Sequence, residues 1–380
     1  MQVNTHIYKE EKWDSCFDEN LDSPSTLVLI LSSLDTKIVQ KEVLYISEMF
    51  AKSIIIGSST SGEIYKNEVY EDSIVVSVIK FNSTVLKKHI CKSINSTNSY
   101  EDGVDIANEL LSADLKGVFV LSDGLKVNGS RLTKGMASVL KSSVVVSGGL
   151  AGDKDKFEST WIIEDGLLCD SSVLGVGFYG NSINFEAASK GGWDRLGLFR
   201  TVTKSKDNVL YEMDGKPALE IYKRYLGEKA KELPSSALLF PLEIKDSIDA
   251  SESKVRTILG VNNEENSITF AGDIPEGSHV TLMKANFERL IDGAGQSADS
   301  LSLNGYRGEE ILCIAISCVG RKLVLKSRID EEVEAIEEVL PSKVEIIGFY
   351  SYGEISPLSS GVCDLHNQTM TLTAIWESNA

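Results

Sequence analysis

The chain has 380 residues, of which 42% are hydrophobic and 25% are charged, and a chain of this size has room for two or three globular domains. Its 38 basic and 56 acidic residues give a net charge of −18. A surface this acidic repels phosphate backbones and anionic lipids, which argues against nucleic-acid-binding and membrane-surface proteins.

The N-terminal segment carries no apolar stretch of the kind found in signal peptides. The longest apolar runs have the length of a strand, too short to span a membrane. The six cysteines are scattered and form no CxxC pair. We therefore expect a cytoplasmic protein whose thiols are reduced.

The first regular pattern is a strand, a helix and a second strand. The run from Leu27 to Ser32 is continuously apolar up to the serine, as in a strand buried on both faces. Residues 37–49 carry an apolar stripe at the helical period, and a second apolar strand runs into Gly57. This order predicts a right-handed βαβ unit with parallel strands.

A glycine-rich loop closed by an acid follows this unit, and it occurs three times. The first copy, IIIGSSTSGEI, ends at Ile64, and the third, EIIGFYSYGEI, ends at Ile355. A degenerate copy between them, VVVSGGLAGD, ends at Asp153. From the serine that ends the first strand to the loop there are 25 residues in the first two copies and 31 in the third. One supersecondary unit is therefore predicted to occur three times.

A further strand follows each loop, at residues 73–81, 172–179 and 369–376. Their alternating pattern predicts antiparallel strands at the margins of mixed sheets. Later in the chain, residues 268–271 and 279–283 predict a hairpin turned by Pro-Glu-Gly.

The predicted fold class is α/β with α+β character. We expect two tandem domains whose mixed sheets are built from repeated β-α-β-loop-β units. The boundary falls near residue 207, before a turn at Asp214-Gly215 and a proline that suits a helix start. The expected division is an N-terminal extension (1–24), a first domain (25–207) and a second domain (208–377).

Signatures of common enzymes are missing from the sequence. There is no GxxxxGK[ST], HExxH, CxxCH or GxSxG motif, and only four histidines are present. An enzyme that uses Glu63 or Glu354 as an acid or base is therefore the last of the hypotheses, and we expect a non-catalytic protein.

The loops are the best candidates for ligand binding, because α/β folds bind ligands beyond the carboxyl ends of buried strands. Their glycines let a ligand approach backbone N–H groups, and each glutamate is suited to hold an ammonium group. Together they match a zwitterion such as an amino acid, with the tyrosines as an aromatic wall. In the alternative, the glycine makes a turn and the acid caps it by bonding local amides. The predicted contacts are Ser61, Gly62, Glu63, Tyr350, Tyr352, Gly353 and Glu354.

Two further residues have an open interpretation. Arg321 follows a buried strand, where its guanidinium would fork onto a ligand carboxylate, pair with Glu354 or remain a surface charge. His366 precedes the last strand and would be either an axial ligand of haem or a residue that orders its loop by hydrogen bonding. Apart from this haem hypothesis, no cofactor is expected.

Several motifs in order resemble one known family. They are LSDG at 121–124, SGGLAGD at 147–153, NVLYEMDGKP at 208–217, FAGDIPEG at 270–277, SCVGR at 317–321, GFYSYGEI at 348–355 and LHNQT at 365–369. In this order the chain resembles the FIST family, a tandem N- and C-domain sensory module of bacterial signal transduction. The resemblance covers about residues 25–377.

The resemblance implies an intracellular sensor of small molecules such as amino acids. Only four residues follow Trp376, so we expect a stand-alone form without an output domain. Such a protein would act through a partner such as a histidine kinase or a diguanylate cyclase. Some stand-alone relatives are haem-binding nitric-oxide sensors, which is the alternative hypothesis.

Overall fold

Our computed structural model describes residues 1–92, 96–164 and 166–378. The strands in these ranges form three sheets of one design and a fourth, inserted sheet. Within those ranges, no helix combines the length and apolarity needed to cross a membrane. The three related sheets belong to three sequence repeats, here called repeat 1 (residues 2–80), repeat 2 (85–179) and repeat 3 (183–377).

Repeat 1 contains an outer strand, the predicted βαβ unit, a short hairpin and a final strand. Its elements are β1 (Gln2–Lys9), β2 (Lys12–Trp13), β3 (Thr26–Ser32), α1 (Thr36–Met49), β4 (Ile54–Ser59), β5 (Glu63–Tyr65), β6 (Glu68–Tyr70) and β7 (Ile74–Lys80). Strands β3 and β4 are parallel and β7 runs antiparallel to β3, as predicted. Helix α1 begins where Asp35 accepts a hydrogen bond from the Lys37 amide at 2.9 Å.

Repeat 2 has the same order, with an added helix before its βαβ unit. Its elements are β8 (Val85–Lys92), α2 (Ser99–Leu110), β9 (Leu115–Ser122), α3 (Gly129–Val139), β10 (Val145–Leu150), β11 (Ile162–Glu164), β12 (Leu167–Cys169) and β13 (Ser172–Tyr179).

Repeat 3 is interrupted by residues 191–286, here called the inserted domain. Its outer strand is β14 (Ile183–Lys190). The inserted domain contains β15 (Asp194–Arg195), β16 (Arg200–Lys206), β17 (Val209–Met213), β18 (Lys216–Pro217), α4 (Ala218–Leu226), β19 (Leu242–Lys245), β20 (Lys254–Arg256), β21 (Ile258–Asn262), β22 (Ser267–Phe270) and β23 (His279–Lys284). Repeat 3 resumes with α5 (Phe287–Asp299), β24 (Ile311–Cys318), α6 (Val319–Leu325), α7 (Ile329–Glu337), β25 (Val344–Ser351), β26 (Gly353–Pro357), β27 (Cys363–His366) and β28 (Met370–Glu377).

Each repeat lends its hairpin to the sheet of another repeat. Hairpin β5–β6 pairs with β25 of repeat 3, β26–β27 pairs with β10 of repeat 2, and β11–β12 pairs with β4 of repeat 1. The exchange is cyclic, so a hairpin of another repeat completes each of the three sheets. Their inner faces share one apolar core, in which Leu29, Phe119 and Ile314 come from the three repeats. The two halves of the chain therefore complete each other's sheets.

Two predictions about strand pairing are wrong. Strands β7, β13 and β28 lie inside their sheets and not at the margins, because the outer strands β1, β8 and β14 pair beyond them. Strands β22 and β23 form no hairpin with each other: β22 pairs with β17 and β21, and β23 pairs with β16 and β19. Local turn chemistry is still present, since Ser278 Oγ donates to Pro275 O at 2.6 Å. A turn signal fixes the bend but not the partner strand.

Two repeated glycines serve strand packing. Gly57 and Gly348 lie within β4 and β25 and face Ile30 and Ala315 on the neighbouring parallel strands. A Cβ atom at either glycine would overlap the carbonyl oxygen of that facing residue. Close approach of two strands, and not of a ligand, therefore requires glycine here.

Replacing Gly348 by Ala is expected to lower the free energy of unfolding by about 1–3 kcal/mol, because the added methyl group forces β24 and β25 apart. Urea unfolding followed by circular dichroism measures the change. Gly260→Ala is the matched control, since nothing lies within 4 Å of the added carbon. Equal losses in the two variants would contradict this explanation.

Candidate functional site

The glycine loops of all three repeats meet at the carboxyl ends of the parallel strands. The amide of Ser61 donates to Tyr350 O at 2.8 Å, which joins the first loop to the third. The amide of Gly152, in the second loop, donates to Ser59 O at 3.1 Å. The first and third loops thus meet, and the degenerate second copy joins them.

Glu63 is enclosed by hydroxyl groups. Its fully buried carboxyl accepts hydrogen bonds from Ser33 Oγ at 3.1 Å, from Ser73 Oγ at 2.6 Å and from the Thr60 hydroxyl. Burial raises its pKa to about 7, although these hydrogen bonds oppose the rise. Ser33 and Thr60 also line a polar cavity of about 390 Å³ at the start of α1. Glu63 therefore lies one layer of side chains behind a cavity wall.

Glu354 holds the equivalent place in repeat 3. It is fully buried and accepts from Ser351 Oγ at 2.9 Å, from the Thr369 amide at 3.1 Å and from Thr369 Oγ1 at 2.9 Å. Burial raises its pKa to about 8. Glu354 thus has a structural role but does not cap its loop through local amides, because the amide that it accepts from lies 15 residues away. This geometry gives no support to direct contact between either glutamate and an ammonium group, which stays a prediction.

Arg321 is part of a buried ion pair. Its Nη2 lies 2.7 Å from Glu332 Oε2, and neither side chain is exposed to solvent. Five hydrogen bonds, among them one to Leu290 O at 2.7 Å, use every donor of the guanidinium. Two of the three interpretations of Arg321 are wrong: it is no surface charge, since it is buried, and its partner is Glu332 on α7 instead of Glu354. Tyr350 is also buried and donates to Glu332 Oε1 at 2.7 Å.

An apolar cavity of about 540 Å³ lies between the inserted domain and the carboxyl end of β24. A second cavity of about 280 Å³ lies beside it and shares four lining residues with it, Phe157, Leu259, Ala271 and Tyr352. We call the two together the interdomain cleft. Of the predicted site residues, Tyr352 lines this cleft, whereas Ser61, Gly62, Gly353 and both glutamates do not.

An aromatic pair divides the interdomain cleft. The rings of Phe157 and Tyr352 stack with centroids 4.5 Å apart and planes at 14°. Phe157 is 47% exposed and has a φ of 54°, in the left-handed region that bulky side chains rarely adopt. Such strain is found most often at functional sites.

Asp153 holds this aromatic pair in place. It accepts hydrogen bonds from the amides of Phe157 at 2.9 Å, Glu158 at 2.8 Å and Ser159 at 2.7 Å, and from the Tyr352 hydroxyl. Partial burial would raise the pKa of Asp153, but these hydrogen bonds outweigh it and lower the pKa. The acid of the second loop therefore positions Phe157, a residue that the sequence analysis missed. The available signal was the aromatic four residues after the acid.

Thr257 lines the cleft and carries an unpartnered polar atom. The residue is 5% exposed, and its Oγ1 has no hydrogen-bond partner among the described residues. A buried hydroxyl without a partner costs free energy, so such groups usually bond to water or a ligand.

His366 and the cysteine of the cleft do not fit haem. Burial lowers the pKa of His366 to about 4, and its Nε2 lies 3.2 Å from Ser356 O, a contact that joins β26 to β27. The cavity of about 500 Å³ beside it is lined by charged side chains such as Arg195 and Glu243, whereas a porphyrin ring needs an apolar slot. Cys318 lines the apolar cleft, but burial raises its pKa to about 12 and keeps it a thiol. Among the described residues, no three His, Cys, Asp or Glu side chains are grouped to hold a metal ion.

Comparison with known proteins assigns the chain to a family. The model of the FIST N domain matches residues 26–216, and that of the FIST C domain matches residues 218–357. An uncharacterized protein of Methanocaldococcus jannaschii is 28% identical over 271 residues, which cover 62% of this chain and 49% of that protein. The chain therefore spans about half the length of this relative. Because both domain models match in tandem, the chain belongs to the FIST family, whose domains are sensory domains of signal transduction.

Proposed function

We propose that this protein senses a small organic ligand in the interdomain cleft and acts through a separate protein partner, such as a histidine kinase or a diguanylate cyclase. The observation that carries the proposal is the cleft itself. It is mainly apolar, it lies beyond the carboxyl ends of parallel strands, and Thr257 in its wall carries a buried hydroxyl without a hydrogen-bond partner among the described residues. Ligand pockets in proteins generally combine an apolar wall with a few polar groups of this kind.

The position of the cleft supports a sensing role. Many polar contacts and an apolar cluster join the inserted domain to the repeats. Among them, Arg256 Nη1 donates to Leu365 O at 3.0 Å, and Asn128 Nδ2 donates to Asp273 Oδ1 at 3.1 Å. A ligand in the cleft contacts both the inserted domain and the repeats, so its binding energy favours one arrangement of these two parts over others. A partner that binds one arrangement more tightly would detect the ligand.

The resemblance implies ligands such as amino acids, and the cleft changes where such a ligand would bind. Asp155 lies at the exposed rim and is the carboxylate that lines the larger cavity. We propose that Asp155, and not Glu63 or Glu354, pairs with the ammonium group of the ligand. Haem-based sensing of nitric oxide finds no supporting site among the described residues.

Replacing Thr257 by Val tests the proposal. The variant keeps the shape of the side chain but removes the unpartnered hydroxyl, so the free protein should be as stable as the wild type or more stable. Compounds from an amino-acid and amine library that raise the melting temperature of the wild type should bind the variant about tenfold more weakly, which corresponds to about 1.4 kcal/mol.

Thr269→Val is the matched control, because Thr269 lies on β22 and does not line the cleft. Thermal shift and titration calorimetry provide the measurements. A library without any stabilising compound, or shifts that Thr257→Val leaves unchanged, would refute binding in the cleft.

A further inference from the structure

We infer that the ligand of the interdomain cleft is a planar aromatic molecule that carries an ammonium group. The inference rests on the proposed function and narrows its ligand class. It depends on two features of the cleft wall, the free face of Phe157 and the charge of the lining residues.

Phe157 offers an aromatic face. One face of its ring is covered by Tyr352, in the stacked pair described above. The ring is still 47% exposed and lines both cavities, so its other face is open to the cleft. A flat ring that binds there extends the stack to three layers, and stacked aromatic pairs are more favourable than their buried area alone predicts.

The position of Phe157 is fixed before a ligand arrives. Its backbone is held in the left-handed region, and the Asp153 carboxylate bonds its amide and the two that follow. The Tyr352 hydroxyl bonds the same carboxylate. A side chain that is already ordered loses little entropy on binding, which favours stacking at this site.

The charge of the lining residues determines which sign of ligand charge the cleft favours. The described lining of the two cavities includes the carboxylate of Asp155, and no Lys, Arg or His belongs to it. An anion would enter this wall without a cationic partner, in a protein whose net charge is −18. A cation gains from the carboxylate of Asp155, while the free face of Phe157 takes the ring of the ligand.

Three probes separate ring shape from charge. Tryptamine has a flat ring and an ammonium group, indole-3-acetate keeps the ring but is an anion, and 2-cyclohexylethylamine keeps the ammonium group without an aromatic ring. Titration calorimetry and thermal shift on the full chain near neutral pH are expected to show binding of tryptamine, with the other two probes at least about tenfold weaker.

Two variants locate the effect. Phe157→Leu should weaken the binding of tryptamine by about threefold to tenfold and leave the binding of the cyclohexyl amine unchanged. Phe157→Tyr should retain tryptamine binding. Asp155→Asn should weaken both amines. Because Phe157 and Asp155 are exposed, these variants should melt like the wild type, and Leu198→Ala, at a side chain that is 80% exposed outside the cleft, is the control.

The outcomes distinguish this inference from the proposed function. Equal binding of the two amines overturns the aromatic assignment, and equal binding of indole-3-acetate overturns the cationic one. If none of the three probes binds but other compounds bind in a manner sensitive to Thr257→Val, the ligand class is wrong and the cleft remains the site. If no compound binds at all, the proposed function itself fails.

Discussion

Replacing Arg321 by Met is expected to lower the free energy of unfolding by about 3–5 kcal/mol, one of the two largest effects that we predict. The substitution leaves the Glu332 carboxylate buried, with hydroxyl partners from Ser317 and Tyr350 and no opposing charge. It also removes donors from the carbonyl groups of Gly191 and Leu290. Urea unfolding at neutral pH measures the loss.

The double variant Arg321→Met with Glu332→Gln separates charge from packing. It removes the uncompensated charge, so it should recover part of the stability that the single variant loses. Lys231→Met is the control for an exposed ion pair: Lys231 and Glu228 are 78% and 90% exposed, and the change should be less than about 1 kcal/mol. If the Arg321 variant were as stable as this control, the buried pair would have no structural role.

Replacing Glu354 by Gln is expected to flatten the decline of stability between about pH 5 and about pH 9. Burial raises the pKa of this carboxyl from its ordinary value of 4.5 to about 8 in the folded protein. Between those two values the folded protein holds a proton that the unfolded chain has released, so the free energy of unfolding falls as the pH rises. At about 1.4 kcal/mol per pKa unit, the effect is on the order of a few kcal/mol.

Urea unfolding at a series of pH values measures this effect, and Glu377→Gln is a control of opposite sign. Burial would raise the pKa of Glu377, but hydrogen bonds from Asn82, Ser83 and Thr84 outweigh it and lower the pKa to about 2. The stability that Glu377 provides is therefore present above its ordinary pKa of 4.5 and is lost as the pH falls from there towards about 2. Parallel pH profiles for the wild type and Glu354→Gln would show that Glu354 is ionised in the folded protein.

Much of the local structure follows from local patterns. The proline that suited a helix start, Pro217, directly precedes α4. The βαβ units are also correct, because continuous apolar runs and amphipathic stripes are properties of short segments. The strand pairing of β22 and β23 was not predictable in this way, since the partners of a strand depend on distant segments.

In the candidate site, too, local patterns were predictable and contacts between distant segments were not. Tyr352 was singled out from its place in a repeated loop, and it lines the cleft. Phe157 was not predicted as a site residue, because the loop of repeat 2 is a degenerate copy. Its stacking partner lies 195 residues away in the chain, as the separation between the Phe157 amide and the Tyr352 hydroxyl shows. Thr257 comes from the inserted domain and reaches the cleft only through the fold.

Patterns within about thirty residues specify each βαβ-loop unit, so its threefold occurrence could be predicted from the sequence. The cyclic exchange of hairpins depends on the packed fold, since edge strands pair with whichever free edge the packed core presents. That exchange encloses Glu63 and Glu354. It also brings Tyr352 into contact with Phe157. The proposed site is therefore the interdomain cleft and not the repeated glutamates.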